Sequence, residues 1–115
     1  MQDCLFCRIV RGEIPAARVY EDELVLAFKD IQPQRPVHVL VIPKRHITSL
    51  AEATEADTET LGRMLVVANR IAVDQGSTDG FRSIINTGRV GGQEVMHVNM
   101  HVVGGQEPVG PMLKR

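Results

Sequence analysis

The sequence predicts a single α+β domain: an antiparallel sheet with one long helix across a face and a short helix at the N-terminus. Three observations carry this. β-prone runs at 17–20, 23–29 and 37–42 are separated by turn residues, apolar residues recur at three and four between 54 and 75, and residues 95–103 alternate strictly.

Taken in order, residues 3–12 place Leu5, Phe6, Ile9 and Val10 at helical spacing with Gly12 as a stop, which puts Cys4 and Cys7 on one face. Residues 17–20 and 23–29, parted by Glu21 and Asp22, read as a hairpin. Pro33 and Pro36 interrupt regular structure over 31–36, and Val37 to Ile42 is a largely apolar central strand ended by Pro43. From Thr54 to Gln75, Leu61, Met64, Leu65, Ala68, Ile71 and Ala72 define an amphipathic helix of about five turns. Its first-turn acids Glu55, Asp57 and Glu59 suit the helix dipole and need no binding partner, and Gly76 is its C-terminal cap. After a turn at 77–80, Phe81 to Asn86 reads as a strand and 88–92 as a flexible loop. In the last strand Val95, His97, Asn99 and His101 share one face, and Met96, Val98, Met100 and Val102 the other.

The 115 residues, 1–115, make one domain without repeats or linkers, large enough to fold without disulfides. A net charge of -1 supplies no field for a phosphodiester backbone, and one Tyr, three Phe and no Trp are too few for base-stacking platforms. Polynucleotides are therefore excluded as the expected partner. No apolar run approaches a membrane span, and two Cys three apart do not resemble a secreted disulfide scaffold, so a reducing, cytoplasmic setting is expected.

Chemistry is concentrated in two Cys and four His. The row His97, Asn99, His101 is either the solvated face of an edge strand or, with the glycines Gly91 and Gly92 upstream, a phosphate or phosphoryl-transfer site. Cys4 and Cys7 fit two zinc thiolates, with His46 and His97 as distant imidazoles. They fit buried structural thiols nearly as well, and a redox pair less well, since no thioredoxin-like βαβ pattern precedes them. His38, inside an apolar strand, reads as a hydrogen-bonded core histidine, and Met64, Met96, Met100 and Met112 as packing. Asp30 suits either a turn or the acceptance of two ribose hydroxyls.

Several segments together carry a family resemblance: Leu5-Phe6 with Ile14-Pro15, the runs 27–34 and 41–47, Asn86, and the run from Gly91 to Gly105. Over nearly its whole length the chain resembles the histidine triad nucleotide-binding proteins, the branch of the HIT superfamily with purine nucleoside phosphoramidase activity. The resemblance implies a HIT-like α+β homodimer binding a purine nucleoside monophosphate or its phosphoramidate. It places Leu5, Phe6, Ile9, Phe28, Lys29 and Ile31 around the base and Asp30 on the ribose. It places Asn86, Gly92, Gln93, Glu94, Val95, Asn99 and His101 at the phosphate. Members with this N-terminal Cys pair hold a structural zinc ion on the residues matching Cys4, Cys7, His46 and His97.

The chain departs from the pattern at one decisive position, because Asn99 stands where the family has its central histidine. In the family that imidazole attacks the α-phosphorus, expels the amine and forms a nucleotidyl-histidine that water hydrolyses. A carboxamide nitrogen has its lone pair delocalised into the carbonyl, so binding is expected to survive while the covalent step stops. The substitution fits a change made to trap an intact ligand, favoured by the undisturbed residues around it, or a natural nucleotide sensor or interaction module. Glu94 is a lesser departure: eukaryotic members carry Ser there to help protonate the leaving amine, and an ionised Glu would repel phosphate. With Gln93, Asn99 and His101 it completes the expected catalytic group.

Overall fold

The computed structural model describes residues 3–111, so Met112 lies outside them. The elements are α1 (Leu5–Val10), β1 (Arg18–Glu21), β2 (Val25–Lys29), β3 (Val37–Pro43), α2 (Thr58–Asp74), β4 (Arg82–Ile84), α3 (Gly88–Gly91) and β5 (Met100–Gly104). The strands form one antiparallel sheet in the order β1-β2-β3-β5-β4. The expected α+β architecture is therefore present.

Strand alternation gives this sheet two working faces. Val25, Ala27, Val39, Val41, Met100 and Val102 point to one, where Met64, Val67, Ala68, Ile71 and Ala72 of α2 cover them. Leu26, Phe28, Leu40 and Ile42 point to the other, against Phe6 and Ile9 of α1. Burial on both sides explains why β3 is buried along its whole length and reads as a continuous apolar run. Among the described residues no helix is long and apolar enough to cross a membrane.

Local chemistry accounts for the boundaries. Asp22 closes the β1–β2 turn by accepting from the N–H groups of Leu24 (2.8 Å) and Val25 (2.9 Å). Before α2, a 3-10 turn occupies Glu55–Asp57, and Thr54 and Asp57 cap each other's main chain, so the α-helix starts four residues later than the periodicity suggested. Asp57 is thus a buried cap paired with Arg45 (3.1 Å), more than a charge near a dipole. Gly76, at φ +106°, follows the helix in a conformation that favours glycine.

Four expectations are corrected. The strand predicted over 95–103 begins only at Met100, because the chain before it bends toward residue 47, where the Val98 N–H meets the Ile47 carbonyl at 2.7 Å. Met96 consequently lies on the surface, 47% exposed, instead of packing. Residues 88–91 form the single turn α3 and not a loop. The strand expected from Phe81 to Asn86 is the shorter β4, Arg82–Ile84.

The Asp22 carboxylate also accepts from the Tyr20 hydroxyl (2.7 Å) and pairs with Arg63 of α2 (2.9 Å), tying hairpin to helix. Burial by itself would raise its pKa, but the hydrogen bonds from Tyr20, the two main-chain N–H groups and Arg63 outweigh it and hold it below the usual carboxylate range. A depressed folded pKa contributes stability above the unfolded value of about 3.9, eroded as pH falls below it. Asp22→Asn is expected to cost about 2 kcal/mol in urea unfolding at pH 7, the gap to the parent protein narrowing below about pH 4.

Candidate functional site

Two clusters of chemical side chains meet on the α1 face of the sheet. The first joins α1 to the bend before β5. Cys4 caps α1, its Sγ accepting from the Cys7 N–H, so a short turn brings both sulfurs to one side. Cys4 Sγ lies 3.3 Å from His97 Nδ1, and Cys7 Sγ lies 3.3 Å from His46 Nδ1 and 3.6 Å from His97 Nδ1. The two Nδ1 atoms are 3.2 Å apart, and the four ligand atoms all fall within 4.8 Å of one another.

The Pro43 carbonyl fixes the His97 tautomer, accepting from Nε2–H at 2.8 Å, and Thr48 Oγ1, 3.2 Å from His46 Nε2, can accept the same proton there. With both protons on Nε2, the two Nδ1 lone pairs are directed into the cluster. Burial lowers the pKa of both imidazoles and raises that of the Cys7 thiol, the last further raised by the neighbouring Cys4. Converging lone pairs without a positive charge are unfavourable. A cation resolves this, and the geometry suits one: a tetrahedron with bonds of about 2.3 Å to sulfur and 2.05 Å to nitrogen has S···N edges of about 3.5 Å and an N···N edge of about 3.3 Å. The donor set therefore fits a closed S2N2 metal centre.

The second cluster follows from the β3–β5 register, which pairs Leu40 with His101 and His38 with Val103, making His38 and His101 diagonal neighbours on one face. The Gln34 N–H donates to His38 Nδ1 at 3.0 Å, so the His38 proton sits on Nε2. From there it is donated to His101 Nδ1 at 2.8 Å, with Asp30 Oδ2 at 3.4 Å. His101 must then carry its own proton on Nε2. Burial, followed by the nearby His38, lowers the His101 pKa against the pull of Asp30 and Glu94, so the ring is a neutral donor. His38 is buried and hydrogen-bonded as expected, yet it also sets the tautomer of a site residue.

A cleft of about 130 Å³ brings together Phe6, Asp30, Asn86, Asn99 and His101 with Gly92, Gln93, Glu94 and Val95. Leu40 also lines it without being singled out from the sequence, and His38, which the sequence marks only as structural, stands behind His101. Their signal was parity: both lie two residues apart on the strand whose partner carries His101. Phe6 stands edge-on to both Phe28 and His97, at 5.7 and 5.8 Å. Of the residues expected around the base, Ile9 and Phe28 are buried behind this wall. Leu5 faces an adjoining groove, and Lys29 and Ile31 are exposed.

The glycine segment behaves differently from the expected anion nest. The N–H groups of Gly91, Gly92 and Gln93 close the turn of α3 on the carbonyls of Thr87, Arg89 and Gly88, and Gly92 sits at φ +80°. The Gln93 side chain is likewise committed, donating to the Thr48 and Val95 carbonyls (2.8 and 2.9 Å) and accepting from the Gly88 N–H (2.9 Å). Gln93 therefore shapes the loop. The next N–H groups, those of Glu94 and Val95, have no partner among the described residues and are the donors left at the cleft.

Asn99 donates one Nδ2–H to the His97 carbonyl at 3.0 Å, which leaves Oδ1 and the second N–H. The site thus offers the Asn99 amide, as acceptor and donor, and one donor at His101. Because β5 lies between β3 and β4, His101 is not on an edge strand, and His97, just before β5, is fully buried, so the polar row is not a solvated edge-strand face.

The chain matches the HIT domain family over residues 11–108. It is 49% identical over 110 residues to an uncharacterised HIT-like protein of Synechococcus elongatus, covering 96% of each chain. It is 48% identical over 113 residues to the purine nucleoside phosphoramidase of Escherichia coli K12, covering 97% of this chain and 94% of that one. Among solved structures, a HIT family hydrolase of Clostridium thermocellum superposes with a TM-score of 0.92 at 41% identity, over 98% of this chain and 99% of the other. A histidine triad protein of Clostridium difficile gives 0.90 at 43% identity, over 96% and 97%.

Proposed function

Since the chain belongs to the HIT domain family, we propose that it binds purine nucleoside monophosphates and their phosphoramidates on a hydrolase scaffold whose covalent step Asn99 disables. The observation that carries the reading is the convergence of Phe6, Asp30, Asn99 and His101 on one cleft. Phe6 offers an aromatic wall for a base, and the Asp30 carboxylate accepts from ribose hydroxyls. The neutral His101 Nε2–H, with the Glu94 and Val95 N–H groups, meets a phosphate without needing a positive field.

The chemistry would run as follows with a histidine at position 99. Its Nδ1–H would take the hydrogen bond that Asn99 now gives to the His97 carbonyl, and Nε2 would face the cleft. Attack forms a phosphorus–Nε2 bond as the phosphorus–amine bond breaks, the amine leaving with a proton that the Glu94 carboxyl would give in its protonated form and regain from the attacking water in the second step. Water then replaces the imidazole and releases the monophosphate. In this chain the amide nitrogen is spent on a carbonyl and its lone pair is delocalised, so neither step begins.

We assign zinc to Cys4, Cys7, His46 and His97, whose ligand atoms lie within 4.8 Å of one another. With four protein ligands and no open position, its contribution is to hold α1 against the β5 approach. Leu65, Val66 and Val73 of α2 are exposed and spare from the core, which supports a homodimer. Reduced thiols fit a cytoplasmic setting.

The test is calorimetric titration with AMP and with 2′,3′-dideoxyAMP. Asp30→Asn keeps an oxygen for the Gln32 N–H, which Asp30 now accepts at 2.8 Å, but loses the charged acceptor. The preference for AMP over the dideoxy ligand is expected to fall about tenfold. A preference unchanged by the substitution removes Asp30 from the ribose, and no AMP binding at all removes the nucleotide reading.

A further inference from the structure

Next to the cleft lies a second space that the nucleotide alone does not use. Strand β4 runs beside β5 with Ile84 opposite His101 and Arg82 opposite Val103, so Arg82 is carried onto the His101 face. Arg35 approaches from the loop before β3. Between them is a cavity of about 400 Å³ whose walls include His38, Asn86 and His101. Asn86 and His101 also wall the nucleotide cleft, so the two spaces share a partition.

The charge in this cavity is uncompensated. Arg35 donates to the carbonyls of Gln34 (2.8 Å) and Val109 (3.2 Å), and Arg82 to that of Gly110 (2.6 Å). Neither has a carboxylate partner among the described residues, and no acid lines the cavity. Elsewhere Arg18, Arg45 and Arg63 each pair with a carboxylate. Carbonyls orient a guanidinium without neutralising it, and each fork of five N–H groups keeps donors to spare.

We infer that this cavity is a subsite for an anionic group, a carboxylate or a phosphate, borne by the portion of the ligand beyond the α-phosphate. The inference rests on the nucleotide reading: with the base at Phe6, the ribose at Asp30 and the phosphate at His101, the space beyond His101 receives what the phosphorus carries on its far side. Two arginine forks suit planar or tetrahedral oxyanions bidentately, whereas a neutral amine or a cation would leave them unmatched. The structure thus assigns the favoured ligands to conjugates with an acidic leaving group.

Because Asn99 keeps such ligands intact, affinity can be read directly on the full-length protein. The probes are the adenosine 5′-phosphoramidates of β-alanine and of β-alaninamide, alike except for one carboxylate, and the pair ADP and AMP. At least one anionic probe is expected to bind about tenfold tighter than its counterpart, and the ratio to fall toward one in Arg82→Gln and Arg35→Gln. Arg82→Lys, which keeps the charge and loses the fork, should give an intermediate ratio. Preference in the β-alanine pair identifies the anion as carboxylate, and in the ADP pair as phosphate. Ratios near one in the parent protein for both pairs, while AMP still binds, overturn the subsite alone. A preference that survives in both glutamine variants overturns the arginine assignment, and failure of AMP itself to bind overturns the nucleotide reading.

Discussion

Asn99→His is expected to raise turnover of an adenosine 5′-phosphoramidate by about four orders of magnitude or more, with the parent protein close to the uncatalysed rate. The size follows from what is missing. Losing a nucleophile removes the covalent route itself, and effects of that kind reach several powers of ten because the surviving binding groups act only on what remains. Apart from Glu94 at the leaving-group side, the groups around position 99 are already placed. The carbonyl of His97 awaits an N–H at 3.0 Å, and the chain from the Gln34 N–H through His38 fixes His101 as an Nε2–H donor. Mass spectrometry of released amine and AMP, with a search for nucleotidylated protein, measures both halves of the reaction. Parent turnover comparable to that of Asn99→His would defeat the nucleophile argument. An inactive Asn99→His protein that still binds AMP would favour a binding module over a disabled hydrolase.

Much of this was legible in the sequence because it depends on local pattern. The period of α2 reads directly from Met64, Ala68, Ile71 and Ala72, with Leu65, 57% exposed, the one position of the predicted set turned away from the core. The alternation sends Val98, Met100 and Val102 to the α2 face as expected. What escaped were consequences of long-range pairing. Residues 95–99 alternate like a strand, but the Val98 N–H bonds to the carbonyl of Ile47, a competitor no local window contains. The same holds for Gly91 and Gly92, whose composition suggests an anion nest while their N–H groups close α3. His38 was read as structural because a lone histidine in an apolar strand usually is. Its contact with His101 appears only once the β3–β5 register is known. Sequence motifs named the chemistry, and register decided which residues share it.

The proposed metal centre would bear on the proposed nucleotide site through α1, which leads to the other large expected effect. Helix α1 has only six residues, too few to be stable alone, yet it supplies Phe6 to the cleft wall between the two sulfurs at Cys4 and Cys7. Fixing both sulfurs to His46 and His97 would tie α1 to the chain just after β3 and just before β5. Chelation, or Cys4→Ser, is therefore expected to lower AMP affinity at least tenfold, and reciprocally AMP should tighten zinc binding by the same factor. With free zinc at roughly 100 to 1,000 times its Kd, loss of the ion should also cost about 3 to 4 kcal/mol of unfolding free energy. The effect has a pH sign: burial raises the Cys7 thiol pKa, so binding must displace protons, and zinc affinity should rise with pH. Elemental analysis at one zinc per chain, lost in Cys4→Ser, combined with calorimetry for AMP, tests each part. A reversible Cys4–Cys7 disulfide without metal would replace the centre by a redox pair. Stoichiometric zinc whose removal leaves AMP affinity unchanged would show that the packing of Phe6 against Phe28 holds the wall unaided.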